Sequence, residues 1–297
     1  MTKRAFALVL LGGAAILAAT YALPPEQPIL PKLSREECRQ LAADFLGVAV
    51  EELDQGGHAV LWETPRDTRP PSYAFRLPYK DAEQGVRPEV RQFGRALVGV
   101  DGLMGTVTSA IYEGRRYEIG RQELGQAEGK AAAEIYLQKH WQYWAKARFL
   151  SATEAVRPSG VFQPATAPQQ SFAWVVEENG IRTGHADVTM NLSTGEVIDY
   201  GQYYYSAQGL PPARLTKERP IREAFARVDK QARESTKLQD AFLATRWHKG
   251  EIGLVWVVWL ETPSQGWTPP GVRPRMHTSG VMLDAYTGKV LWEDRPR

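Results

Sequence analysis

The sequence predicts an α+β protein in which one unit, a helix packed on an antiparallel sheet, is used three times. Three observations carry this expectation: a turn motif that recurs at nearly constant spacing, an amphipathic helix before each turn, and aromatic-rich strands between helix and turn.

The turn copies read Val98-Gly-Val-Asp101-Gly-Leu-Met-Gly105-Thr-Val107, Val188-Thr-Met-Asn191-Leu-Ser-Thr-Gly195-Glu-Val197 and Val281-Met-Leu-Asp284-Ala-Tyr-Thr-Gly288-Lys-Val290. Gly105, Gly195 and Gly288 lie 90 and 93 residues apart. The glycine has a physical reason to recur, because a short hairpin loop needs a residue with positive φ at its end, where glycine carries no Cβ penalty. Asp or Asn before it can hydrogen-bond the turn backbone. Read as calcium ligands, Asp101, Asn191 and Asp284 fall short: each turn offers one oxygen side chain where a calcium loop needs several. They are structural turn residues, and no metal or other cofactor is expected.

A helix opens each unit. Ser34-Arg-Glu-Glu37 is a capping box, followed by Cys38, Leu41, Ala42, Phe45 and Leu46 at helical spacing. A second helix follows Gly129 through Ile135, Tyr136, Trp141 and Trp144. The third starts near Pro220, with Ile221, Ala224, Phe225 and Val228 on one side and Arg222, Glu223, Arg227 and Lys230 on the other. From Ser34, Gly129 and Lys217 the turn Asp or Asn follows after 67, 62 and 67 residues, so the order is helix first, hairpin last.

Strands fill the interval. In the second unit they run Phe172 to Val176, through an Asn179-Gly180 hairpin, then His185 to Met190 and Val197 to Tyr205. In the third they run Ala241 to Trp247, Leu254 to Glu261, His277 to Leu283 and Lys289 to Trp292. Proline-rich stretches, Thr64 to Pro71, Arg157 to Pro168 and Thr262 to Pro274, are too proline-dense for central strands and read as surface loops.

Composition bounds the rest. The 297 residues, 43% apolar, can bury substantial cores. Basic residues number 36 and acidic residues 34, and without the first 25 residues the balance is 34 to 34, so bulk attraction to nucleic acid is not expected. Lys3 and Arg4 precede an uncharged, apolar stretch from Ala5 to Leu23, followed by Pro24, Pro25 and Pro28. This is an export signal at residues 1–25, then a proline-rich linker at 26–33. As a helix the stretch would reach about 28 Å, enough to stay as a membrane anchor, while a cut after Ala22 would put Thr20 at −3. Both outcomes place the body outside the cytoplasm. Cys38 is the only cysteine, so no intramolecular disulfide exists, and nothing beside it would lower its pKa.

No catalytic motif is present. His58, His140, His185, His248 and His277 are scattered and none forms a His-Glu-x-x-His helix. There is no Gly-x-Ser-x-Gly elbow and no phosphate-binding glycine loop. Ser279 follows His277 and Thr278, but nothing couples it to an Asp. A triad assembled from distant positions is the route by which an unrecognised hydrolase could arise.

With its helix, antiparallel strands and closing V-x-V-D-x-x-T-G-x-V turn, in tandem behind an export signal, the chain resembles the PepSY superfamily, in particular its YcdB/YcdC-like repeat branch. The resemblance divides the body into cystatin-like modules at 34–118, 129–206 and 217–297. The copy ending at Val290 fits well, and Asn191 replaces Asp in the second. In the first, the divergent one, Met104 replaces threonine. It implies a bacterial cell-envelope protein that inhibits, chaperones or regulates a partner protein, and it supplies no active-site residue. Partners implied are a protease, a cortex-lytic enzyme of spore germination or a sensor histidine kinase, reached from the membrane through residues 5–23 if these are uncleaved. A wall-glycan role would fall to aromatics, with Trp267 in a proline-rich loop and Tyr203, Tyr204 and Tyr205 as candidates. Alternation puts Tyr203 and Tyr205 on one face and Tyr204 on the other, and packing is their simpler use.

Overall fold

The computed structural model describes residues 31–53, 70–79, 95–118, 120, 123–153, 167–248, 250–263 and 276–294. It is an α+β architecture of three helices on one large mixed sheet. The apolar stretch at residues 5–23, His58, Trp267 and most of each proline-rich loop lie outside the described residues. Among the described residues no helix is long and apolar enough to cross a membrane.

Helix α1, Arg35–Leu46, starts at the capping box read in the sequence: Ser34 Oγ accepts the Glu37 N–H at 3.2 Å, and the Glu37 carboxylate accepts the Ser34 N–H at 2.7 Å. Cys38, Ala42 and Ala43 are fully buried. Burial pushes the Cys38 thiol up to about 11, which fits an unreactive core residue.

Helix α2, Gln126–His140, begins three residues before the expected Gly129. Gly125 is the cap, its N–H held by Glu128 at 2.8 Å. Gly129 marks close packing instead of a boundary: a Cβ there would sit 2.9 Å from Leu192 and 3.2 Å from Phe172. Helix α3, Glu218–Arg227, carries Pro220 in its first turn, where the missing N–H costs nothing.

Eleven strands follow the order β1-β2-β3-β7-β6-β8-β9-β10-β11, with β5 on the other edge of β6 and β4 beyond it. Their spans are β1 Ser72–Leu77, β2 Ala96–Asp101, β3 Thr106–Ile111, β4 Ala147–Ala152, β5 Gln169–Glu178, β6 Ile181–Asn191, β7 Glu196–Tyr204, β8 Lys237–His248, β9 Glu251–Pro263, β10 Met276–Asp284 and β11 Val290–Asp294. Asn179 and Gly180 join β5 to β6 with φ of 53° and 76°, as an Asn-Gly hairpin demands.

Helix α1 packs on β1, β2 and β3, α2 on β5, β6 and β7, and α3 on β9. The expectation of a separate sheet for each helix needs correction, because the strands are continuous. Strand β3 pairs antiparallel with β7 (Ser109↔Gly201, Ala110↔Tyr200, Ile111↔Asp199), merging β1–β7 under α1 and α2 into one core. Phe45 of α1 closes this joint, stacking on Tyr200 at 5.8 Å and meeting His140 at 4.5 Å. Burial lowers the His140 pKa, so the ring enters this aromatic group in its neutral form.

The β8–β11 section attaches differently. Among the described residues only Ile181↔Leu243 and Arg182↔Ala244 pair, and they run parallel. Its core is its own: Ala224, Ala241, Val258, Leu260, Val281 and Leu283 lie under α3, while Ala244, Val255, Val257 and Met282 form a second cluster on the opposite face of the strands.

Candidate functional site

The six turn residues occupy three equivalent sites. At each, the glycine N–H returns to the carbonyl of the Asp or Asn: Gly105 to Asp101 at 2.9 Å, Gly195 to Asn191 at 2.8 Å and Gly288 to Asp284 at 2.9 Å. The glycines have φ of 64°, 75° and 78°. One side-chain oxygen caps two backbone N–H groups in every copy. Asp101 Oδ1 takes those of Leu103 and Met104 at 2.7 and 3.0 Å. Asn191 Oδ1 takes those of Ser193 and Thr194 at 2.8 and 3.3 Å. Asp284 Oδ1 takes those of Tyr286 and Thr287 at 3.0 and 2.7 Å.

The threonine of the motif also has a function. Thr194 and Thr287 hydroxyls accept the N–H of Glu196 and Lys289 at 3.3 and 3.2 Å, a bond that Met104 cannot make. Met104 stands 51% exposed instead.

A further element of these sites went unread in the sequence. The residue after each Asp or Asn is bonded on both sides: the N–H of Gly102, Leu192 and Ala285 reaches the carbonyl of Pro71, Pro168 and Leu254 at 2.8, 2.8 and 3.0 Å. The carbonyls of the same residues accept from the strap before each helix, from Leu33 at 2.9 Å, Leu124 at 2.7 Å and Leu215 at 3.1 Å. Each strap leucine also lies against the turn glycine, where a Cβ would come within 2.9, 3.1 and 3.2 Å of its Cδ1. Leu33, Leu124 and Leu215 stand 91 residues apart, and that spacing is the signal that could have found them.

The aromatics separate as strand alternation requires. Tyr204 stacks on Tyr143 at 3.7 Å and donates to Glu178 at 3.2 Å. Tyr203 stacks between His185 and Tyr205, both at 5.9 Å, with the Arg246 guanidinium 4.1 Å from its ring centroid. Burial raises the Tyr203 pKa, keeping the phenol protonated. Tyr205 is 8% exposed.

Tyr203 belongs to a polar and aromatic seam where β6 and β7 meet β8. Arg182 lies 3.5 Å over Phe242 and bonds Asp240 at 2.8 Å. Thr245 Oγ1 donates to the Tyr205 carbonyl at 2.6 Å. His185 Nε2 approaches Asp187 at 3.5 Å, the arrangement that orients an imidazole. Among the described residues no hydrogen bond joins a histidine to a serine, threonine or cysteine side chain. The seam's rings and charges are largely spent on one another, which makes it a joint between two parts of the sheet. A cleft of about 450 Å³ beside the start of α2, lined by Glu123, Leu124, Gln126, Thr153, Gln170 and Leu192, borders the second turn site through its strap leucine and the residue after Asn191, but includes none of the six turn residues.

No protein-family model matches the chain, and no curated protein matches it. Solved structures similar in outline include the following two. The Bacillus megaterium YpeB C-terminal domain has 13% identity and a TM-score of 0.39, over 89% of this chain and 98% of that one. An uncharacterized protein from Eubacterium rectale ATCC 33656 has 11% identity and a TM-score of 0.41, over 90% of this chain and 83% of that one. Likeness at this level assigns no function.

Two predictions follow from the turn geometry. Valine at Gly195 or Gly288 meets both the positive φ and the strap leucine, and should cost about 1–3 kcal/mol in a denaturant melt. Unchanged stability in both variants contradicts the lock.

Asn191 and Asp101 should respond oppositely to exchange. Asn191 Nδ2 donates to the carbonyls of Arg115 and Glu118 at 2.6 and 2.8 Å, so Asn191→Asp loses both bonds and should cost about 1–3 kcal/mol. Burial raises the Asp101 pKa, and the folded state therefore favours its protonated form. Its contribution to stability is present at low pH and is lost as pH rises from the ordinary carboxylate value through the raised one. Asp101→Asn keeps the acceptor oxygen, so it should raise stability at neutral pH and remove this part of the pH dependence in melts recorded across the acid range.

Proposed function

We propose that this chain is a non-catalytic, extracytoplasmic protein of three PepSY-like repeats, at 34–118, 129–206 and 217–297, which binds and regulates a partner protein of the bacterial cell envelope. The observation that carries this reading is how the recurring residues are used. Every motif position with an assigned contact, Asp or Asn, threonine and glycine, is committed to backbone hydrogen bonds or to positive φ. A pattern spent wholly on shape supports a scaffold whose specificity lies in its variable surface.

Export is supported by Lys3 and Arg4 before the apolar stretch at residues 5–23. If that stretch stays uncleaved, the repeats are tethered on the extracytoplasmic side of the bilayer, and regulation of a sensor histidine kinase or of a germination lytic enzyme becomes the favoured form of the same function. The glycan-binding reading has less support. Tyr203, Tyr204 and Tyr205 are each engaged within the chain, which leaves Trp267 as its candidate.

The test is cross-linking in intact envelopes followed by identification of the captured protein, alongside peptidase, glycosidase and esterase assays of the purified chain. The expected outcome is one envelope enzyme or kinase whose activity or stability changes when the chain is added, with no turnover by the chain itself. Turnover that survives repurification and vanishes on replacing a single residue would overturn the binding reading.

A further inference from the structure

Three positions around each turn can be compared by counting from the strap leucine and from the turn glycine. The residue before the leucine is Lys32, Glu123 or Arg214, the fourth after it is Glu37, Glu128 or Arg219, and the one after the glycine is Thr106, Glu196 or Lys289. At the second turn these residues are acidic, and at the third they are basic. The third turn also breaks the local rules of a helix start. Glu37 and Glu128 each accept the N–H of the residue that caps their helix, at 2.7 and 2.8 Å. Arg219 stands where that acceptor would be, and Lys217 and Arg219 place cations at the positive end of the α3 dipole. Local rules are broken in this way where function requires it.

The cations of this region are gathered and unpaired. Residues 214–237 hold eight Arg and Lys against four Asp and Glu, in a body whose basic and acidic residues balance. Arg214 lies at the strap, its N–H 3.1 Å from the Ala285 carbonyl. The Arg219 Nη2 and Nε atoms lie 3.6 and 3.7 Å from where a Cβ on Gly288 would stand, and Lys289 is the next residue. These three, Lys217 and Arg222 are exposed, and among the described residues none of the five has an ion pair or a side-chain hydrogen bond. Glu218 stands four residues before Arg222, the favoured order for a helical ion pair, yet its carboxylate accepts from Thr216 instead. In the rest of the sheet Arg115, Arg116, Lys130, Lys146, Arg148 and Arg182 each reach a carboxylate within 3.8 Å.

We propose that the third turn and the start of α3 form the docking surface for the partner protein, and that the partner's matching surface is acidic, its carboxylates seating on Arg214, Lys217, Arg219 and Lys289. This rests on the reading of the chain as a protein that binds a partner. A lipid surface fits less well. Among the described residues none of the exposed large apolar side chains lies on the strap, the turn or α3, so nothing there would insert into a membrane. Strand β3 runs antiparallel to β7, and β10 runs parallel to β6 through β8 and β9. The third turn therefore shares a sheet end with the second and lies opposite the first, where the strap residues Lys32 and Leu33 bring the chain in.

The test uses the full chain and a short poly-glutamate peptide as the acidic probe. Binding should weaken steeply as salt is raised. Arg219→Glu restores the carboxylate found at the start of α1 and α2, so it should raise stability in a denaturant melt while weakening peptide binding severalfold. Lys139→Glu, at an exposed position in the last turn of α2, changes the net charge equally and should leave binding unchanged. If Arg219→Glu fails to fold, Lys289→Glu, which installs the residue of the second turn, keeps the comparison. Equal weakening by the Lys139 variant overturns the proposal, as does stability that falls together with binding, or binding of anionic phospholipid vesicles with the same dependence on Arg219. A partner captured by envelope cross-linking equally well with Arg219→Glu overturns this surface and leaves the partner reading standing, so either idea can fail alone.

Discussion

One peptide unit at each of the three turns organises everything around it. The residue after the turn Asp or Asn gives its N–H to the segment that leads into the sheet, or to the neighbouring strand, and its carbonyl to the strap that leads into the helix. Buried backbone groups must be paired, and here one residue pairs helix start, hairpin turn and sheet in a single step. The side-chain oxygen of the preceding Asp or Asn holds that residue in place, and the positive-φ glycine lets the chain turn back at once. Closing a loop of about seventy residues on itself is entropically costly, so a contact that fixes both of its ends, as Leu33 with Gly102, Leu124 with Leu192 and Leu215 with Ala285, matters more than its few hydrogen bonds suggest.

The way the sections of the sheet join follows from what their edges present. Strands β3 and β7 meet with small or aromatic residues at the centre: Ala110 is fully buried, and Tyr200 lies between α1 and α2 against Phe45 and Tyr136. Their cores fuse as a result. Among the described residues the β8–β11 section meets β6 and β7 across two residue pairs and a set of ion pairs, ring contacts and hydroxyl bonds, with no apolar cluster spanning the gap. Polar contacts of this kind set orientation more than they add stability, because each pays for desolvation and side-chain order.

Much of this was legible in the sequence for identifiable reasons. The turns were, because glycine at positive φ and Asp or Asn before it leave few alternatives. So were α1, through its capping box, and the hairpin at Asn179 and Gly180. The start of α2 was misplaced because Gly129 looks like a boundary residue but is a contact residue against Leu192 and Phe172. Strand β4 was missed because Ala147–Ala152 is a short edge strand with an irregular register and little burial to impose alternation. The continuity of the sheet was not readable either, since edge pairing such as Ser109 with Gly201 leaves no local signature in two segments ninety residues apart. The aromatic tract was read correctly for its alternation, but the partners that occupy its rings, Arg246, His185 and Tyr143, come from other strands and loops.

The most direct measurement of the central claim is native-state hydrogen exchange at the strap and turn amides. Leu33, Leu124 and Leu215 precede their helices in irregular segments, and amides in such positions ordinarily exchange near the intrinsic rate. If the turn carbonyls hold the straps, these three amides and those of Gly105, Gly195 and Gly288 should exchange as slowly as the strands they lie beside, and Asn191→Asp should release Leu124 while leaving Leu33 protected. Rapid exchange at all three leucines in the unmodified chain would contradict the lock on which this description of the protein depends.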